Sequence, residues 1–182
     1  MNPENETTRL SKLLSYLLRH KPEEFDVTLD ENGWADVAGL LEKLQLKGEY
    51  ISRDLLQHIV DTNSKKRFSF SEGGTKIRAS QGHSVEVDLG YRQQPPPQFL
   101  YHGTVDTFIG SIKKEGLVKK QRHHVHLSAD EQTAAIVGQR RGKPVILKIK
   151  AAEMAAAGFA FYLSDNGVWL TDAVPPTLII FP

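Results

Sequence analysis

Three consecutive prolines, Pro95, Pro96 and Pro97, stand between Gln94 and Gln98 near the middle of the chain. A proline run has no amide hydrogens to give a helix or a central strand, and its fixed φ keeps the backbone stiff and extended. The 182 residues are therefore expected to form two parts, 1–92 and 98–182, joined by an extended connector. An apolar content of 40% is enough for a core in each part. The chain has no cysteine, which excludes disulfide scaffolding, thiolate chemistry and iron–sulfur clusters. No apolar run approaches the roughly 20 residues of a membrane helix. The polar, acidic start MNPENETTRL is unlike a signal peptide, so the cytoplasm is the expected address. Monomer is the default expectation.

In the first part, Leu10, Leu13, Leu14, Leu17 and Leu18 recur at helical spacing and predict a helix over 8–20, stopped by Pro22. Arg19 and His20 lie off that stripe at its C-terminal end. There they either satisfy the helix dipole or grip an anion. Asp30-Glu31-Asn32-Gly33 is a turn. Asp36 is a plausible cap for a helix carrying Val37, Leu40, Leu41 and Leu44, and Ser52 caps a third with Leu55, Leu56, Ile59 and Val60. Residues 66–70 and 76–78 read as two strands around Gly73-Gly74. Three helices followed by a hairpin is the element order of a winged-helix module, a fold that binds nucleic acid in some cases and protein in others. Val85 and Val87, alternating with Glu86 and Asp88, read as a further short strand.

The second part reads as four to six short strands with two or three short helices and no βαβ repeat, which makes the chain α+β. Leu100 and its neighbours lead into His102, and Val125 and Leu127 flank His126. A helix with Phe108, Ile109 and Ile112, ended by Gly116, connects them. Ser128 and Glu131 match a capping box for the next helix. The run 145–149 is the strongest strand, and Asp165-Asn166-Gly167 is a hairpin turn.

Familiar nucleotide motifs are missing: there is no G-x-x-x-x-G-K-[ST] and no G-x-G-x-x-G. His123, His124 and His126 are ligand-type side chains without a carboxylate close in sequence, which argues against a metal site. The net charge is only +1, yet basic residues cluster at 65–67, 119–122 and 140–143, a pattern suited to a phosphorylated ligand more than to coating a polyanion. Arginine and histidine gather at element ends: Arg19, His20, Arg67, His102, Arg122 and His126. Such an inventory stabilises anionic oxygens and leaves the nucleophile to the substrate.

The stretches LSKLLSYLLRHKP (10–22), NGWA (32–35), KRF (66–68), IRASQGHS (77–84), LYHGT (100–104), RHHVHLS (122–128) and NGVWLT (166–171) span nearly the whole chain. In that order they resemble the RNA 2′-phosphotransferase family (the Tpt1/KptA family). The resemblance implies an N-terminal winged-helix lobe that binds RNA and a C-terminal ADP-ribosyltransferase-like lobe that binds NAD. Its members remove an internal 2′-phosphate from RNA with NAD⁺ as acceptor. The 2′-phosphate attacks C1″ of the nicotinamide ribose and nicotinamide leaves. The 2″-hydroxyl then attacks phosphorus, releasing 2′-OH RNA and ADP-ribose 1″,2″-cyclic phosphate. In fungi this completes tRNA splicing.

Carried over by motif, Arg19, His20, Arg67 and Arg122 correspond to the family's essential set, with Arg140 the alternative for the fourth position. His102, Gly103, Thr104, His126, Ser128 and Val168 correspond to its NAD-binding positions. Ser128 is equally well read as a helix cap, and Trp169 as a core residue. Val168 stands where many protein ADP-ribosyltransferases carry an activating glutamate. This fits an RNA substrate that brings its own anionic nucleophile. Two competing readings are an ADP-ribosyltransferase acting on nucleic-acid terminal phosphates and a winged-helix binding protein that has lost catalysis.

Overall fold

The computed structural model describes residues 3–182, so Met1 and Asn2 of the polar start lie outside the described residues. The chain is α+β, with six α-helices and small antiparallel sheets among the described residues. It divides into two compact units, Met1–Gly90 and Tyr91–Pro182. No helix among the described residues is long and apolar enough to cross a membrane.

In the first unit, α1 (Pro3–Arg19) buries Leu10, Leu14, Leu17 and Leu18, the leucine stripe read from the sequence. β1 (Ala35–Asp36) leads into α2 (Val37–Leu46), whose cap is Asp36, accepting from the Gly39 amide at 2.7 Å. Ser52 caps α3 (Arg53–Thr62) by accepting from the Leu55 amide at 3.1 Å. Both caps answer amides that a helix start leaves without a partner. β2 (Phe68–Phe70) and β3 (Lys76–Ala79) pair as a hairpin, and β1 completes the sheet in the order β1-β3-β2. Phe68, Ile77 and Ala79 are buried beneath the helices.

The strand expected around Val85 and Val87 is not formed. Its polar groups bond singly to a turn and a helix end instead of to a neighbouring strand. Ser84 N donates to Arg19 O at 2.8 Å, Asp88 N to Glu31 O at 2.7 Å, and Asn32 Nδ2 to Asp88 O at 2.6 Å. With partners on separate elements, no ladder can register.

The second unit contains β4 (Leu100–Val105), α4 (Asp106–Glu115), β5 (Leu117–Val118), β6 (Val125–Leu127) and α5 (Glu131–Gly138). β7 (Pro144–Ile149), α6 (Ala151–Ala156), β8 (Tyr162–Leu163), β9 (Trp169–Thr171), β10 (Ala173–Val174) and β11 (Ile179–Ile180) follow. The eight strands exceed the expected four to six, because two-residue strands such as β5 and β10 carry no periodicity to read. They pair antiparallel as β11-β7-β4, β6-β9-β8 and β10-β5. Tyr101 and Ser128 exchange backbone hydrogen bonds of 2.9 and 2.7 Å, which ties β4 to the end of β6.

That bridge displaces the expected cap. Ser128 is still extended, so α5 starts later, and its cap is Asp130, which accepts from the amide and the hydroxyl of Thr133 at 2.7 and 2.9 Å. Leu100, Leu147 and Ile149 line the core face of the main sheet. On the opposite face α5 crosses β4 at Gly103. A Cβ there would overlap the Ala134 carbonyl, and one on Gly138 would stand 3.0 Å from Pro144 Cβ and 3.1 Å from Thr104 O. Two glycines thus permit the backbones to touch.

Candidate active site

The first unit holds Arg19, His20 and Arg67 through one loop. Residues 80–84 follow β3, and Ser80 N donates to Arg67 O at 2.8 Å while Ser84 N donates to Arg19 O at 2.8 Å. Four residues reach at most about 14 Å, so the loop ties the end of α1 to the start of β2. Ser84 Oγ lies 2.9 Å from His20 Nδ1. Arg67 is fixed by Asn63, whose Oδ1 accepts from the Arg67 amide at 3.3 Å and from its guanidinium at 3.4 Å. The Asn63 amide in turn donates to Ser11 Oγ of α1 at 3.0 Å. Asn63 and Ser84 were not among the residues singled out as functional in the sequence. The signal available was Ser84 in the IRASQGHS motif. Asn63, after the last turn of α3, has no sequence signal of its own.

The backbone enters Arg67 through a left-handed residue, Lys66, with φ 41°. Lys120, two residues before Arg122, has φ 51°. Such conformations cost a side-chain-bearing residue energy and persist where the surrounding structure demands them. Ser80 Oγ, donating to Lys66 O at 2.9 Å, supplies part of that demand in the first unit.

In the second unit, His102 alternates onto the core face of β4 with Leu100, opposite Leu147 of β7. Its Nδ1 donates to the His126 carbonyl at 3.0 Å. Burial pushes the His102 imidazole below its ordinary value, and the Arg122 and Arg141 charges push the same way against the His126 bond. His102 is therefore neutral near pH 7. With its proton on Nδ1, its Nε2 is left as a hydrogen-bond acceptor. Arg122 Nη1 lies 3.4 Å from His126 Nδ1. Burial and the nearby charges of Arg141 and Arg140 pull the Arg122 guanidinium below its ordinary value. Among the described residues, no carboxylate pairs with Arg122, Arg140 or Arg141.

The remaining sequence-predicted residues of this unit fall around the same strands. Thr104 is buried two positions beyond His102 on β4. Ser128 directly follows β6 and Val168 directly precedes β9, flanking the Leu127–Trp169 pair in sequence. Val168 closes the 164–167 turn, where its amide donates to Ser164 Oγ at 3.0 Å. Trp169 packs against the core. Gly103 faces α5, so packing alone accounts for a glycine at this position. His124 lies against the Tyr162 ring, centroids 5.6 Å apart.

Fold and side chains define an α+β protein that holds Arg122 at His126 and the His102 ring on the His126 carbonyl, with no carboxylate ion-paired to Arg122 among the described residues. The model of the RNA 2′-phosphotransferase, Tpt1 / KptA family matches residues 5–173. The chain is 54% identical over 178 residues to the probable RNA 2′-phosphotransferase of Flavobacterium johnsoniae, covering 98% of each chain. Over 183 residues it is 50% identical to the protein of that name from Rhodopirellula baltica, covering 100% of each chain. It is 53% identical over 171 residues to that of Pectobacterium carotovorum subsp. carotovorum, covering 93% of this chain and 92% of the relative. The chain belongs to the RNA 2′-phosphotransferase family.

Proposed function

We propose that this chain is an NAD⁺-dependent RNA 2′-phosphotransferase. It removes an internal 2′-phosphate from RNA and leaves a 2′-hydroxyl, with nicotinamide and ADP-ribose 1″,2″-cyclic phosphate as the other products. The observation that carries this reading is the family match over residues 5–173. In this reading the first unit, three helices and the β2–β3 hairpin, is a winged-helix module, and the second is ADP-ribosyltransferase-like.

The residues present fit NAD: a neutral imidazole at His102 with Nε2 left to accept suits a ribose hydroxyl. When bound, NAD⁺ supplies an anomeric carbon bearing a pyridinium leaving group, so no side chain has to activate the departure. Arg19 and Arg67 grip the RNA 2′-phosphate by charge-assisted hydrogen bonds and keep it ionised. They also stabilise the charge that builds on its oxygens when phosphorus is attacked. His20, steadied by Ser84, orients the ribose that carries this phosphate. His102 accepts from a ribose hydroxyl of the dinucleotide, with its ring orientation set by the His126 carbonyl. Arg122 meets phosphate oxygens next to His126. Ser128 and Val168 line the NAD-binding side, and Val168 leaves the nucleophile to the RNA.

The test is incubation of the purified protein with NAD⁺ and a short RNA bearing one internal 2′-phosphate, with products resolved by mass. The expected products are 2′-OH RNA, nicotinamide and ADP-ribose 1″,2″-cyclic phosphate. A persistent ADP-ribosylated RNA would replace the reading with transfer to nucleic-acid phosphates. No NAD⁺-dependent change would refute it.

A further inference from the structure

The net charge of +1 hides an opposition between the units. Residues 1–90 carry twelve Lys and Arg against fifteen Asp and Glu, a balance of −3, while residues 91–182 carry eleven against seven, a balance of +4. The strand-attracting charge therefore lies in the second unit, although the element order of the first is the one that suggests nucleic-acid binding. Within the second unit part of that surplus is concentrated. Gln139–Arg141 form a short 3-10 turn after α5, and Arg140, Arg141 and Gly142 are exposed. The Arg141 guanidinium lies 5.7 Å from the centre of the Phe108 ring, and Lys120 Nζ, from a different loop, also lies 5.7 Å from it. Arg140 and Arg141 both act on Arg122. Arg141 and Lys120 thus flank one aromatic ring from two loops, Arg122 and Arg141 act on His102, Arg140 acts on Arg122, and none of the four cations is paired with a carboxylate among the described residues.

The dipole of α5 favours cations near its C-terminal end and would account for Arg140 and Arg141 alone. It does not account for Lys120, which reaches the same ring from a loop with φ 51°, nor for like charges gathered without a counter-charge. Resting on the phosphotransferase reading for the identity of the ligand, we propose that Arg140, Arg141 and Lys120 form a landing surface for backbone phosphodiesters of the RNA strand that flanks the reacting nucleotide. Exposed, separate cations around an aromatic face match the solvated, repeating charges of a single strand. The diphosphate of a dinucleotide would call for donors gathered in a more enclosed site.

The test is fluorescence anisotropy without NAD⁺, over a salt series. The probes are a labelled single-stranded RNA octanucleotide carrying one internal 2′-phosphate and the same RNA without it. Each phosphate contact on a single strand contributes about 0.7 to the slope of log K against log salt, so Arg140→Gln with Arg141→Gln should lower the slope by about 1.4. The loss should be equal for both RNAs. Arg140→Lys with Arg141→Lys should restore the slope, which separates charge from damage to the fold. An unchanged slope overturns the proposal. So does a loss confined to the 2′-phosphorylated RNA, which would assign the cluster to the reacting group. A raised Kd for NAD⁺ with RNA binding unaltered overturns it as well, since the cluster would then serve the dinucleotide. The phosphotransferase reading is tested separately in the same assay. It requires wild-type protein to prefer the 2′-phosphorylated RNA and Arg19→Gln to abolish that preference, whereas the landing surface is read on the unphosphorylated strand.

Discussion

Replacing Gly103 by alanine separates packing from ligand binding where α5 crosses β4. A Cβ at Gly103 overlaps the Ala134 carbonyl and would stand 2.7 Å from the Ala134 carbonyl carbon and 2.9 Å from Gly138 N. Carbon atoms settle at about 3.5–4.0 Å, so α5 must retreat from β4 by about 1 Å. The obstructing atoms are backbone and cannot rotate away, which places the cost at the upper end of the range for overpacking, about 3 kcal/mol. For a unit of this size each kcal/mol lowers Tm by about 4–8 °C, so Gly103→Ala should melt roughly 12–24 °C below wild type. Calorimetry, together with urea unfolding followed by near-ultraviolet circular dichroism, would measure it. Gly138→Ala should cost less. Its neighbours at 3.0 and 3.1 Å need to yield only a few tenths of an ångström, and alanine gains about 1 kcal/mol of helix propensity over glycine. If Gly103→Ala melts with wild type and only its NAD⁺ affinity falls, the packing argument is wrong and the glycine serves the ligand.

Three further outcomes are expected. Ser84→Ala removes the hydroxyl 2.9 Å from His20 Nδ1 and should lower kcat about five- to tenfold, the worth of one hydrogen bond; Ser84→Thr should recover most of it, and an unchanged kcat would show that His20 is positioned by other groups. Arg67→Ala should stall after nicotinamide release, so that ADP-ribosylated RNA accumulates in a single-turnover experiment; a collapse of turnover without accumulation contradicts the assigned role. His102, lowered chiefly by burial, takes up its proton less readily in the folded chain than in the unfolded one. Its contribution to stability is complete above the ordinary histidine value of about 6.5 and is lost as pH falls from there toward the lower folded value. His102→Gln should flatten that part of the pH–stability curve, and parallel curves for variant and wild type would exclude it as the source.

Much of the local structure was legible because its causes are local. The leucine stripe of α1, the Asp36 and Ser52 caps and the 165–167 turn each depend on neighbours a few residues apart. The misreadings arose where distant partners decided. Val85 and Val87 alternate as a strand does, but their segment is claimed by Arg19 and the 30–33 turn. Ser128 has the composition of a cap, but Tyr101 holds it extended.

The residue chemistry of this protein, arginine and histidine without cysteine and with the ordered motifs of one family, was determined by the sequence alone. Composition and short-range order are written there directly. The tertiary structure decided which of those groups act together. It set the proton of His102 on Nδ1 by presenting the His126 carbonyl and by burying the ring on the core face of β4. It brought Arg140 and Arg141 to Arg122 and Lys120 to the ring faced by Arg141. It also gave Gly103 a reason to be glycine that no motif conveys. Burial, charge proximity and backbone contact each depend on what folds alongside a residue, and that is fixed only once strands and helices far apart in the chain have packed.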